Sequence, residues 1–352
     1  MKKNLIIATT LILLCACDSN SIEGRNIEII SKNGKEKVIN LKNNSLLSNG
    51  TYRIKEGRDY VARLTTRNGL LDGEYKEFHS NGVVKLIKNY KNGLLDGEFK
   101  IYDKLSYLIE YSLYKNGELN GESRVYKKEE SVYYLKNLGN FLNGKFEGKQ
   151  LTYYSSGIIK EEIEMKQGLK QGEFKEFYQN GSLKAICTFE NDIENGPFEG
   201  YYENGDLQIK GTFLNKKLHG EITAFERRKD NPSKYNKIVS NLKNGVRNGE
   251  ERIYHSNGKI SIIQNYKNDK IHGELKNFDY DTGKLRLIQN YKDGELHGLE
   301  IEFDKTGKEI SRKNFINGKQ SIISNKQNIK ENSIKEKKES NPLKNIFKNI
   351  FN

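Results

Sequence analysis

The chain has 352 residues, 35% of them hydrophobic and none of them Trp, and 60 basic residues against 47 acidic ones give a formal net charge of +13. Length alone suggests two or three domains, but this apolar content is thin for a compact globular core of that size. Abundant Tyr (21), Phe (15) and Gly (32) beside only 3 Pro point to β-structure with tight glycine turns.

The basic excess has two readings: a solvated Lys/Glu surface, or attraction to an anionic lipid, glycan or nucleic acid. The N-terminus bears on that choice. Lys2 and Lys3 precede an apolar run from Leu5 to Leu14, broken by Thr9 and Thr10, and polar Asp18-Ser19-Asn20 follows Cys17. The run is of signal-peptide length and short for a membrane-spanning helix. Leu14-Cys15-Ala16-Cys17 resembles the bacterial lipobox, with Leu14 at −3, Ala16 at −1 and Cys17 as the acylated residue. That resemblance implies export, a lipid anchor at Cys17 facing the periplasm or cell surface, and no nucleic-acid partner. Several acyl chains would anchor stably at about 0.8 kcal/mol per buried CH₂. Residues 18–25 then form a tether. Cleavage and acylation leave Cys187 as the one free thiol, read as a small strand residue.

Residues 26–67 carry a weak hairpin grammar. Asn26–Ile30, Asn33-Gly34 and Lys37–Leu41 read as one hairpin, and Asn49-Gly50, Thr51–Ile54 and Asp59–Thr65 as another. They suit the atypical cap that a repeat array needs.

From residue 68 to about 320 the chain repeats itself. Ten units begin at Asn68, Asn92, Asn116, Asn143, Gln167, Asn191, Asn215, Asn244, Asn268 and Asp293, and seven of them are 24 residues long. Position 6 is always glycine: Gly73, Gly97, Gly121, Gly148, Gly172, Gly196, Gly220, Gly249, Gly273 and Gly298. Position 11 is always aromatic: Phe78, Tyr102, Tyr126, Tyr153, Phe177, Tyr201, Phe225, Tyr254, Phe278 and Phe303. The penultimate position is aromatic in eight units, from Tyr90 to Phe315, with Met165 and Leu242 in the other two.

Asn-Gly is a strong hairpin signal, because both residues tolerate the positive φ of a type I′ turn. It stands at the unit start and often again near the middle, as in Asn81-Gly82 and Asn180-Gly181. Two turns per unit leave two strands, typified by Glu173–Tyr178 and Leu183–Glu190. The expected fold is therefore all-β: an elongated, single-layer, solenoid-like antiparallel meander of about ten stacked hairpins. The position-6 glycine is expected just before the first strand, with positive φ or a close backbone approach. The position-11 and penultimate rings are expected to interleave into one ladder that replaces a globular core.

The pattern N-G-x-x-x-G-E-x-x-x-Y/F-x-x-N-G, covering Asn68 to about Ile316, resembles the MORN-repeat variant of bacterial proteins. The family includes membrane-associated scaffolds, oligomerisation modules and antitoxin-like components, so the resemblance implies binding without naming a partner. Insertions at Val132–Phe141 and at Arg227–Ile238, which contains Pro232, together with Pro197 at position 7, depart from the pattern and read as longer loops at one edge.

Residues 325–341 are Lys-rich without periodicity and read as a disordered linker. In residues 342–352, Leu343, Ile346, Phe347, Ile350 and Phe351 share a helical face opposite Lys344 and Lys348. This short amphipathic helix would cap the last strand edge or dock on a partner or membrane.

Chemistry is sparse. His219, His272 and His297 share position 5, and His79 and His255 share position 12; spaced by whole repeats, they suit turns better than a shared metal. Neither a nucleophile–His constellation nor a phosphate-binding loop occurs, and the carboxylates recur with the repeat. The expectation is a non-enzyme without cofactor or metal, of open oligomeric state: a lipid-anchored envelope scaffold for a protein partner. Two alternatives are adhesion to anionic envelope lipid or glycan, and an antitoxin- or immunity-like role against one toxin.

Overall fold

The computed structural model describes residues 20–228, 231, 234–321, 343, 346 and 350. The lipobox, Pro232 and the 325–341 linker lie outside the described residues. Among the described residues the repeat array is all-β, with 31 strands in hairpin succession. Among the described residues one pairing is parallel, Ser21–Glu23 on Gly50–Glu56, and the others are antiparallel. The chain divides into two compact units, residues 1–133 with 141–144, and residues 134–140 with 145–352.

Each repeat starts with the expected turn. Asn92 and Gly93 have φ of 51° and 80°, and Asn244 and Gly245 of 54° and 84°. Both central residues lie in the left-handed region, as a type I′ hairpin requires. The turn in mid-repeat differs. At 79–83, Gly82 N–H donates to His79 O and His79 N–H to Val83 O, at 2.8 and 2.7 Å, and Gly82 alone has positive φ. This is a type I turn closed by a left-handed glycine, with Asn81 Oδ1 accepting Val83 N–H at 3.2 Å. Here Asn serves as an Asx acceptor, so one dipeptide makes two different turns.

The second strand falls at Leu183–Glu190 as expected, but the first runs Leu169–Phe177 and contains Gly172. Position 6 lies inside the strand here and in five other units and begins the strand in the remaining four, as at Gly73–Phe78, with φ from 72° to 116° across the ten. It forms a bulge: on one side Gly97 pairs with Tyr114, and on the other the register jumps between Leu95 and Phe99. A side chain at this φ would be strained, which explains the invariant glycine.

The flanking hairpins form at Ile27–Lys32 with Lys35–Asn40, and at Gly50–Glu56 with Asp59–Arg67. They bury Val38, Leu64 and Leu71, with Tyr52 and Tyr90 beside them, as the core of the first unit.

The expected edge loops need correction. Val132–Leu142 is a strand, so that insertion lengthens a hairpin. Around the second insertion, Gly220–Arg227 and Tyr235–Lys243 pair without a register break up to Arg227↔Tyr235. Pro197 sits within strand Ile193–Tyr201, next to the Gly196 bulge, where sheets accept proline.

Candidate interaction surfaces

Strand alternation sorts the repeat positions onto two faces. Positions 6, 8 and 10 share one face with 19, 21 and the penultimate residue. The ring contacts run between position 8 and the penultimate position: Tyr75–Tyr90 at 6.4 Å, Phe99–Tyr114 at 5.7 Å, Phe174–Phe189 at 6.0 Å and Phe198–Phe213 at 4.7 Å. We call this the ladder face.

Positions 7, 9 and 11 form the opposite, charged face. Lys76 pairs with Glu74, Lys100 with Glu98, Lys175 with Glu173, Arg252 with Glu250 and Lys276 with Glu274, at 2.5–2.9 Å. Tyr201 at position 11 donates to Glu199 at position 9. The expected interleaving of position-11 rings with the penultimate rings is therefore wrong. From Phe78 to Phe303 the position-11 rings are half-buried over the Glu–Lys comb. Position 11 is odd and position 8 even, so a strand must present them to opposite sides.

Adjacent repeats are stitched at both edges. At one edge the side chain of position 5 accepts the N–H of the next repeat's first residue. Asp72 receives Asn92 at 3.1 Å, Asp96 receives Asn116 at 3.2 Å, Glu147 receives Gln167 at 2.8 Å and Gln171 receives Asn191 at 3.2 Å. His272 and His297 use this position as well, with Nδ1 3.4 Å from the nitrogens of Asp293 and Asn317. At the other edge the position-12 phenols of Tyr154, Tyr178 and Tyr202 donate to the carbonyls of Phe177, Tyr201 and Phe225, at 2.7, 2.8 and 2.6 Å. His79 Nε2 does the same to Tyr102 O at 3.0 Å. Three of the five histidines thus fill structural slots. Among the described residues, no three His, Cys, Asp or Glu could hold a metal ion.

Three features of the second unit depart from the repeat and were not read as sites in the sequence. The first is apolar: Ala185, Cys187, Phe198, Ile209, Ile222, Ala224 and Ile238 make a buried cluster on the ladder face. Leu343, Ile346 and Ile350 are helical and lie in this cluster, on the sheet's face and not over the last strand. Burial pushes the Cys187 thiol up to about 12.

The second is a buried polar cluster. Arg247 stands where most repeats have Leu, and Glu251 where many have an aromatic ring. Arg247 lies 3.7 Å over the Tyr266 ring and 3.4 Å from Asp269, and Gln264 donates to Glu251 Oε1 at 2.7 Å and to the Tyr266 hydroxyl at 2.9 Å. Glu251 is 2% exposed, and its Oε2 has no hydrogen-bond partner.

The third is an open cleft of about 520 Å³ beside the second insertion, lined by Lys234, Tyr235, Lys237, Tyr254 and His255. Nearby, Arg227 stacks 4.2 Å from the Tyr202 centroid, and Arg228 donates to Ser256 Oγ at 3.1 Å. The Tyr280 phenol is held below its ordinary range by its hydrogen bond with Ser256 and by Lys234 and Arg228. The doublet Arg227-Arg228 inside an insertion was the sequence signal.

No curated protein matches the chain. One matching solved structure is the crystal structure of TcdB2-TccC3-TEV, at 12% identity and a TM-score of 0.16. The match covers 74% of this chain but only 15% of that one, a likeness too low to carry over a fold or a role. Five stretches, residues 71–92, 146–167, 170–191, 194–215 and 247–268, match the MORN repeat variant family. Each of these stretches is a hairpin with the left-handed glycine at position 6, and the chain is a repeat protein that carries MORN repeat variants at these five places.

Proposed function

We propose that the array is a non-enzymatic scaffold that binds a protein partner, and that acylation at Cys17 holds it at the cell envelope. The observation that carries this reading is the division of labour between the faces. Ladder and edge bonds hold the sheet, which leaves the Glu–Lys–aromatic comb of positions 7, 9 and 11 free for contact. Equivalent residues recur every second strand, about 9–10 Å apart, as a regular extended surface suited to an elongated partner. Exposed ion pairs contribute only about 0–1 kcal/mol each, so a partner can rearrange them cheaply.

The test is crosslinking and copurification from native membranes with the tagged chain and a Cys17→Ala control, read by mass spectrometry. One dominant, salt-resistant protein, lost from the membrane fraction in the control, supports the scaffold. If that protein is a toxin, the scaffold is an immunity protein. The second reading, adhesion to anionic lipid or glycan, draws on the cleft lined by Lys234 and Lys237 and on Arg227 and Arg228 near it. It predicts capture without a protein and steep loss with salt.

A further inference from the structure

We propose that the second unit carries a receiving groove for an amphipathic helix, and that the chain's own C-terminal segment occupies it in cis as an exchangeable ligand. The groove follows one row of cross-strand neighbours on the ladder face: Ala185, Gly200, Ile209, Ala224 and Ile238. The same row is polar on both sides, with Glu176 before Ala185 and Asn277 after the apolar stretch. Two small residues at position 10, Gly200 and Ala224, stand between Glu176 of the preceding repeat and Ile253 of the following one, so the face is lowered here.

Gly200 is not required by its backbone, since its φ lies outside the left-handed region. A Cβ there would instead come within 2.5 and 2.8 Å of Ile350 side-chain atoms. The residue is small because a helix passes over it. Leu343 and Ile350 are 2% exposed and Ile346 8%, so the spacing i, i+3, i+7 fills the groove.

In sequence, residues 322–342, polar and Lys-rich, separate the segment from the last described strand. A stretch of this length holds its end near the groove at an effective concentration on the order of millimolar. The helix is then a competitive self-ligand, and a partner helix of the same spacing must displace it. That biological use rests on the protein-binding reading above, whereas the exchange itself needs no partner and is tested separately.

The probe is a fluorescein-labelled peptide of residues 340–352, followed by anisotropy against three full-length proteins: wild type, L343D/I350D, and L343D/I350D with Gly200→Leu. Circular dichroism checks that each is folded. The double variant should bind the peptide at least tenfold tighter than wild type, and G200L should remove at least tenfold of that gain. As a second readout, Cys187, which lies 3% exposed in the same cluster, should react with a maleimide at least tenfold faster in L343D/I350D than in wild type. This arm stands even if G200L fails to fold. Equal peptide binding by wild type and L343D/I350D, or unchanged Cys187 protection, would overturn the proposal. Wild-type dimers that vanish in L343D/I350D would place the helix on a second copy and overturn the cis assignment. If exchange succeeds while copurification finds no partner, the groove stands and the scaffold reading falls.

Discussion

Phe198→Ala is the sharpest test of which rings hold the array together. Phe198 is 1% exposed, its ring lies 4.7 Å from Phe213 at an interplanar angle of 42°, and a Cβ on Gly211 would meet its ring at 3.0 Å. Neighbours this tight cannot collapse fully into the gap, so the loss belongs in the range of about 3–5 kcal/mol seen for buried Phe→Ala. Phe177 at position 11 is half-buried on the charged face, and its removal should cost about 1–2 kcal/mol of transfer energy. A long array need not unfold in one step, so the assay is native-state hydrogen exchange at the amides of 185–213. At about 1.4 kcal/mol per decade, Phe198→Ala should lower protection there by roughly a hundredfold or more, and Phe177→Ala by roughly tenfold. Equal or greater loss in Phe177→Ala would refute the assignment of the ladder to positions 8 and 23.

Three further outcomes follow from the same contacts. Arg247, whose guanidinium lies 4.0 Å from Glu251 Oε1, is the cation beside that buried carboxylate, so Arg247→Ala should cost about 3–5 kcal/mol in denaturant unfolding, part of it recovered by adding Glu251→Gln. Tyr178→Phe removes the phenol bond to Tyr201 O and should cost about 1 kcal/mol; an unchanged midpoint would show that this edge bond adds nothing. Burial raises the Tyr75 and Tyr90 phenols above the tyrosine range, and burial with the Glu199 bond pushes Tyr201 up to about 12. The unfolded chain gives up these protons near pH 10 while the folded chain keeps them. Stability should therefore be full below about pH 10 and fall as the pH rises towards about 12. Denaturant midpoints across that interval check the sign, and a midpoint that rises with pH would contradict it.

The repeat, its two strands and its type I′ turn were legible because Asn-Gly and an invariant glycine admit few backbone conformations. The ladder was misread for a physical reason: counting aromatic positions ignores parity. Position 11 recurs without exception, yet parity sends it to the charged face, while the ring that completes the ladder stands at position 8, which is aromatic in only some repeats. The acceptor role of position 5 was hidden because Asp72, Gln171 and His297 share hydrogen-bonding capacity and not a residue type. The groove was hidden differently. Gly200 and Ala224 look like ordinary variation until Leu343, Ile346 and Ile350, far along the chain, are seen packed in the same cluster. The insertion at Val132–Phe141 looked like a loop because extra residues usually are, but its alternating pattern continues the hairpin.

The binding reading is tested most directly by a photo-crosslinking amino acid placed in living cells at Lys100, Lys175 or Lys276, one charged-face position in each of three repeats. The account predicts adducts with the same protein from these sites, retained in high salt. Adducts to lipid or glycan alone, or none from any of the three, would contradict it.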